Sequence, residues 1–149
     1  QKASSGCASL RAALRVPKNT QRALKPPTPM PTIIGVTGCT RAGKSWVAGS
    51  LASALQAAGT RVCVIGQDKF WQRAVSVKVK VDGKMTEMSS EEEPGCTDHQ
   101  AFANAIRVQQ AAGHHEVIIA EGYLLLHSPE VVELLDSIFL LEAEEHDAR

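Results

Sequence analysis

No aspartate or glutamate occurs in this 149-residue chain before Asp68. The stretch up to Gln67 carries Lys2, Arg11, Arg15, Lys18, Arg22, Lys25, Arg41, Lys44 and Arg61, and all 16 acidic residues follow it, so the formal net charge of zero is a misleading average. The four cysteines, Cys7, Cys39, Cys63 and Cys96, form no C-x-x-C pair, which argues against a zinc site or a dithiol redox motif and fits a reducing compartment. The five histidines show no metal-ligand spacing. The sequence holds no secretory apolar region and no apolar run long enough to span a bilayer. Neither a membrane nor a nucleic-acid partner is expected, and oligomeric state is not readable.

The acid-free beginning is set apart in composition. "SLRAALR", Ser9 to Arg15, is short, amphipathic and Arg-bearing, and "KPPTPMPT", Lys25 to Thr32, is a Pro-rich linker that can be neither helix nor central strand. Residues 1–31 fit an organelle transit peptide or a basic, disordered tail. The expected location is cytoplasmic, or mitochondrial or plastid if the transit-peptide reading holds. Residues 32–149 amount to one domain, large enough to bury a core.

What the chain does have is "GCTRAGKS", Gly38 to Ser45, a Gly-x-x-x-x-Gly-Lys-Ser phosphate-binding loop. Gly38 and Gly43 allow a tight turn and close backbone approach to a ligand. The N–H groups along Thr40, Arg41 and Ala42 form a concave anion site that runs into a helix N-terminus. Lys44 is placed to reach the β and γ phosphates, and the Ser45 hydroxyl to ligate Mg²⁺. The flanks agree: "TIIGVTG", Thr32 to Gly38, reads as a buried parallel strand, and Lys44 to Gly59 as a helix stopped by Gly59.

Strand and helix then alternate. Arg61–Gly66 reads as a second strand, Thr97–Gly113 as a helix capped by Thr97 or Asp98, and Glu116–Gly122 as a third strand. "SPEVVELLD" reads as a short helix with Ser128 as cap, and Ser137–Ala143 as a fourth strand. The order implies parallel pairing, right-handed crossovers and a three-layer α/β fold of the P-loop nucleoside triphosphate hydrolase type, with ligands at the C-terminal strand ends. One segment breaks the rhythm: "VSVKVKVDGKMTEM", Val75 to Met88, alternates valine with polar residues around Asp82-Gly83, the pattern of a β-hairpin flap. The "SSEEEPG" that follows reads as a solvated loop.

Asp68 lies just past the second strand and Glu121 at the end of the third. A Mg-nucleotide site needs carboxylates for the metal or its waters, and a phosphotransferase also needs a base or positioner for the acceptor hydroxyl. A regulatory GTPase or ATPase would call for an Asn-Lys-x-Asp signature or a switch after a strand-end Asp, and neither is present. A non-catalytic nucleotide-binding or partner-binding chain is a third reading.

In the order "IIGVTGCTRAGKS", "VIGQDKFW", "EEPGCTDHQAF", "VIIAEGYLLL" and "SIFLLEA", the chain from about Thr32 to Arg149 resembles the uridine kinase and phosphoribulokinase-like small-molecule kinases, and among them the nicotinamide riboside kinases. The resemblance implies ATP and Mg²⁺ as cofactors and a small nucleoside-type substrate whose 5′-hydroxyl receives the γ-phosphate. It implies Asp68 as acceptor-side carboxylate and base, Asp98 on the ribose hydroxyls, and Glu121 near Mg²⁺ or sharing the base role. Lys44 joins Asp68 and Glu121 in the catalytic set, and Phe70, Trp71 and Tyr123 help wall the nucleoside base. The sequence departs from the group at Lys69, where a second acid is common, at Trp46, where Thr or Ser is common, and in the length of the Val75–Met88 flap. In the group "FLLEAEEHDAR" leads into an Arg-rich lid, a last strand and a last helix, so the expectation is a kinase domain truncated at the lid, able to cradle nucleotide but poor at turnover.

Overall fold

A computed structural model describes residues 29–142. The basic segment 1–28 and the acidic segment 143–149, with the readings placed on them, lie outside the described residues. Strand β1, Thr32–Gly38, is followed by helix α1, Lys44–Ala57, and strand β2, Val62–Gly66. A hairpin of β3, Val75–Val81, and β4, Lys84–Ser90, precedes helix α2, His99–Ala112. Strand β5, Val117–Glu121, the one-turn helix α3, Pro129–Val132, and strand β6, Ser137–Leu141, complete the described elements.

Four strands form one parallel sheet in the order β2-β5-β1-β6. The chain crosses from β1 over β5 to the edge strand β2, returns to β5, and then crosses β1 to β6. Right-handed crossovers in opposite directions put α1 on one face and α2 with α3 on the other. The core divides accordingly. Val36, Val62 and Ile119 pack with Ala48 and Ala52 of α1, whereas Ile33, Ile65, Ile118 and Ala120 pack with Phe102 and Ile106 of α2 and Val131 of α3. Alternate residues of β1 and β5 thus serve opposite layers, as an interior parallel strand requires. The three-layer α/β P-loop architecture expected from the sequence is present. Among the described residues no helix is long and apolar enough to cross a membrane.

The element ends follow local chemistry. Helix α1 stops at Ala57 in a Schellman motif: Gly59, at φ 88°, donates to the Gln56 carbonyl and Thr60 donates to that of Leu55. The second strand starts one residue later than expected, because the Arg61 N–H is taken by the Glu116 carboxylate at 3.0 Å rather than by a strand neighbour. Helix α2 begins after Asp98, whose Oδ1 accepts from the Ala101 N–H at 2.8 Å. The helix expected over 128–136 shrinks to Pro129–Val132, and the Ser128 side chain makes no capping bond. Its tightening turns are short-range, Leu134 to Val131 and Leu135 to Val132, and release the chain toward β6. There Asp136 bonds the start of β1 twice: its Oδ2 accepts from the Ile33 N–H at 2.7 Å, and its own N–H donates to the Ile33 carbonyl at 2.8 Å.

The hairpin forms a separate two-stranded sheet, and β4 runs two residues beyond the expected end, through Ser90. Asp82 at φ 50° and Gly83 at φ 79° supply the two positive dihedrals of a type I′ turn. Val75, Val77 and Val79 are half-buried and Lys78 and Lys80 exposed.

Phe102 is fully buried and meets the Phe70 ring edge-on, with centroids 5.3 Å apart. It therefore joins α2 to the turn that follows β2. Phe102→Ala is expected to cost ~3–5 kcal/mol of unfolding free energy through lost burial and a residual cavity. Urea unfolding followed by circular dichroism measures this, and a loss under ~1 kcal/mol would contradict the central role given to that contact.

Candidate active site

Gly38 ends β1 beside Leu141 of β6, where a Cβ would collide with the Leu141 carbonyl oxygen. The chain then turns through Arg41 at φ 69° and Gly43 at φ 83°, left-handed positions that aim successive N–H groups to one side. Helix α1 has neither a side-chain cap nor an acid in its first turn, unlike α2 with its Asp98 cap. Its N-terminal donors and dipole are thus open to an anion. The Lys44 ammonium folds back across the loop and donates to the Cys39 carbonyl at 2.7 Å, which holds a cation at the cradle.

The carboxylates arrive from the sheet. Residues 117, 119 and 121 of β5 face α1, and Glu121, the last of them, stands under the loop with only 9% of its surface exposed. The Ser45 hydroxyl donates to its Oε2 at 3.2 Å. Gly66 of β2 makes room for it, since a Cβ there would lie 2.8 Å from Oε1. Burial pushes the Glu121 pKa up, the Ser45 bond opposes that, the nearby Asp68 charge adds to it, and Lys44 and Lys69 oppose it. The two residues expected to hold Mg²⁺, Ser45 and Glu121, are in contact, and a buried carboxylate with raised pKa is one that a cation would favour. Among the described residues no group of three or more His, Cys, Asp or Glu is placed around a metal. That donor set suits Mg²⁺, which takes one or two carboxylates and fills its remaining positions with phosphate and water.

Asp68 sits in a single 3-10 turn, Gln67–Phe70, directly after β2. Gln67, to which the sequence reading gave no role, holds this turn to β5: it is 1% exposed, its Oε1 accepts from the Leu124 N–H at 2.9 Å, and a Cβ on Gly122 would strike it. No local pattern marks this role, because the burial of Gln67 and its partner Leu124 come from the fold. The following residues are tied to the start of α2 by Asp98 N–H to the Phe70 carbonyl at 2.9 Å and Gln72 N–H to the Cys96 carbonyl at 2.8 Å.

These elements enclose a cleft of about 770 Å³. Thr40, Arg41, Gly43, Lys44, Ser45 and Trp46 line it together with Asp68, Trp71, Glu91, Glu92, Thr97 and Tyr123. Lys44, Ser45, Asp68, Trp71 and Tyr123 therefore meet in one cavity, with Glu121 behind Ser45. Gly38 borders a separate, smaller hollow, and neither it nor Ala42 lines the cleft, so their part is in the backbone path.

Two expected site residues are placed elsewhere. Phe70 does not wall the cleft: its ring turns into the core against Phe102, because the 3-10 turn sends Asp68 and Phe70 in different directions. Asp98 is also absent from the lining, and both its oxygens are engaged, Oδ1 by the Ala101 N–H and Oδ2 by Gln72 Nε2 at 3.0 Å. Thr97, its neighbour, lines the cleft instead. Glu91 and Glu92, read from sequence as part of a solvated loop, line it as well.

Fold and cradle together define a P-loop α/β protein with a nucleotide-type phosphate site. Over 124 residues, 75% of the chain, it is 31% identical to nicotinamide riboside kinase 2 of Mus musculus and 29% identical to nicotinamide riboside kinase 2 of Homo sapiens. The chain is thus similar to nicotinamide riboside kinases over part of their length, on a P-loop kinase fold. The match spans 62% of the mouse protein and 52% of the human one. In fold it is similar to a structure from Silicibacter described as a candidate fructose transport system kinase, with TM-score 0.57, 20% identity, and coverage of 83% of this chain and 71% of that one. A structure from Bacillus stearothermophilus described as a possible uridine kinase aligns with TM-score 0.51, 18% identity, and coverage of 78% and 73%. No family profile matches the chain.

The raised Glu121 pKa has a defined sign in stability. An acid whose folded pKa exceeds its ordinary value of 4.5 binds its proton more tightly in the fold, so its ionisation costs stability as pH rises through that value and beyond. Glu121→Gln keeps an acceptor for Ser45 and cannot ionise. Its melting temperature is expected to match wild type near pH 4 and exceed it at about pH 7, as scanning calorimetry would measure. A variant less stable than wild type at the higher pH would show that the carboxylate is not under desolvation stress.

Proposed function

We propose that this chain carries the nucleotide cradle and acceptor wall of an ATP-dependent phosphotransferase that moves the γ-phosphate to a hydroxyl of a small nucleoside-type acceptor, nicotinamide riboside being the favoured one. The observation that carries this reading is a single cleft lined both by the anion cradle and by Asp68 with the aromatic rings of Trp71 and Tyr123. The kinases named above, matched over part of their length, support the same class.

In this reading the loop N–H groups and Lys44 hold the β and γ phosphates. Ser45 and Glu121 would hold Mg²⁺, which when bound neutralises phosphate charge. Asp68, on the open side of the cleft, accepts the proton of the acceptor hydroxyl as its oxygen bonds to the γ-phosphorus. The bond from that phosphorus to the bridging oxygen breaks, and ADP leaves with the electron pair. Trp71 and Tyr123 bracket the acceptor ring. Most of the rate enhancement in such a transfer comes from positioning and charge neutralisation.

Two variants separate nucleotide binding from transfer. Asp68→Ala is expected to keep ATP affinity within about threefold and to lower transfer from γ-labelled ATP to nicotinamide riboside by roughly 100-fold or more, the usual worth of a positioned base. Lys44→Ala is expected to weaken ATP binding itself, seen by calorimetric titration. Loss of ATP binding in Asp68→Ala would give that residue a structural role, and ATP binding by wild type with no transfer to nicotinamide riboside or uridine would favour a non-catalytic nucleotide-binding protein.

A further inference from the structure

We propose that Gln67 is a positioning residue for phosphoryl transfer: its buried amide fixes Asp68 relative to Tyr123, and it serves the geometry of the cleft rather than the stability of the fold. This rests on the reading of Asp68 as the base and of Tyr123 as part of the acceptor site. Gln67 stands directly before Asp68, and its side chain reaches the segment that follows β5, where it touches the residues on both sides of Tyr123. Its Oε1 accepts from the Leu124 N–H at 2.9 Å, and it lies so close over Gly122 that a Cβ there would collide with its Oε1, Cβ and Cδ. Gly122 is in turn tied to β1, since its N–H donates to the Val36 carbonyl at 3.1 Å. Among the described residues no other side-chain hydrogen bond joins the turn Gln67–Phe70 to the segment after β5. Asp68 and Tyr123 both line the cleft, and one is felt at the other: burial is the first cause that raises the Tyr123 pKa, and the Asp68 charge adds to it.

The energetics of folding do not account for the amide. A hydrogen bond inside a protein contributes little net, and a buried donor without a partner costs as much or more. Gln67 has one of each, because its Nε2 is buried with no partner among the described residues. Methionine, similar in length and without a donor, removes that orphan and leaves the Leu124 N–H without its acceptor, so the two changes offset. What methionine loses is the directional tie between Asp68 and Tyr123. Transfer depends on the alignment of acceptor hydroxyl and base, and a misplacement of about 1 Å lowers its rate by a large factor. A freed turn therefore slows transfer while the phosphate loop, built on β1 and α1, keeps its hold on nucleotide.

The test is Gln67→Met, read by scanning calorimetry, by amide hydrogen exchange and by transfer from γ-labelled ATP to nicotinamide riboside. Its melting temperature is expected to stay within about 4 °C of wild type. Exchange is expected to rise roughly tenfold in peptides that cover residues 67–71 and 122–125, and to stay unchanged in β1 and α1. The kcat is expected to fall roughly tenfold or more, with the KM for ATP held within about twofold. In the Asp68→Ala background, where no base is left to position, the same substitution is expected to change kcat by less than about twofold. A larger drop in melting temperature, or a variant that does not fold, would make Gln67 a structural residue and overturn the proposal. Unchanged exchange in the two segments, or a full further loss of kcat in the Asp68→Ala background, would also overturn it. Wild-type transfer with no loss in Gln67→Met would remove this inference alone. ATP binding by wild type with no transfer would remove the kinase reading, and melting temperature with local exchange would then decide whether Gln67 holds Asp68 against Tyr123.

Discussion

The parallel pairing of β1 with β5, in a register that sets Val36 beside Glu121, is the constraint on which the site depends. It brings the end of the strand that enters the phosphate loop next to the end of the strand that bears the buried acid. Because α1 starts over that same point, the Ser45 hydroxyl meets Glu121 at 3.2 Å across 76 residues of sequence. Glycines protect the arrangement on both sides. Gly66 leaves space for the carboxylate and Gly122 for Gln67. The opposed directions of the two crossovers then open a crevice at this point, where an α/β sheet generally holds its ligand.

Around that fixed point the remaining wall is assembled from less regular pieces. The turn after β2 presents Asp68, and its continuation, through Trp71, is bridged to Thr97 just before α2. The hairpin contributes its far end, where Glu91 and Glu92 follow β4. None of these pieces belongs to the parallel sheet. Each is held by a few hydrogen bonds to its neighbours and by one buried contact, Phe70 on Phe102 for the turn and Cys96 beneath the hairpin's end. Contacts of this local kind allow a scaffold to keep its phosphate site while the rest of the cleft varies.

Much of this was legible in the chain. The loop pattern, the apolar strands and the glycine stops at Gly59 and Gly113 each act over a few residues, and the structure repeats them within a residue or two. The hairpin was legible for the same reason, since Asp82-Gly83 names its turn and the valines its face. The destination of individual side chains was less so. Phe70 and Trp71 are adjacent, yet one enters the core and the other the cleft, and only the path of the 3-10 turn decides between them. Asp98 was legible as a helix cap, which it is, whereas Gln72 on its second oxygen was not. Ser128 had the right residue type for a cap, but its side chain makes no such bond.

By itself, then, the sequence determined a phosphate cradle on a parallel α/β scaffold, because glycine, lysine and serine at fixed spacing between strand and helix have their meaning in backbone geometry a few residues long. Tertiary structure alone decided what faces the cradle. Glu121 became a buried acid beside Ser45, Gln67 became the tie between two strand ends, and Glu91 and Glu92, in the exposed loop after β4, came to line the cleft. The physical reason is the same in each case: burial, electric field and hydrogen-bond partners come from segments distant in the chain, and no local pattern carries them.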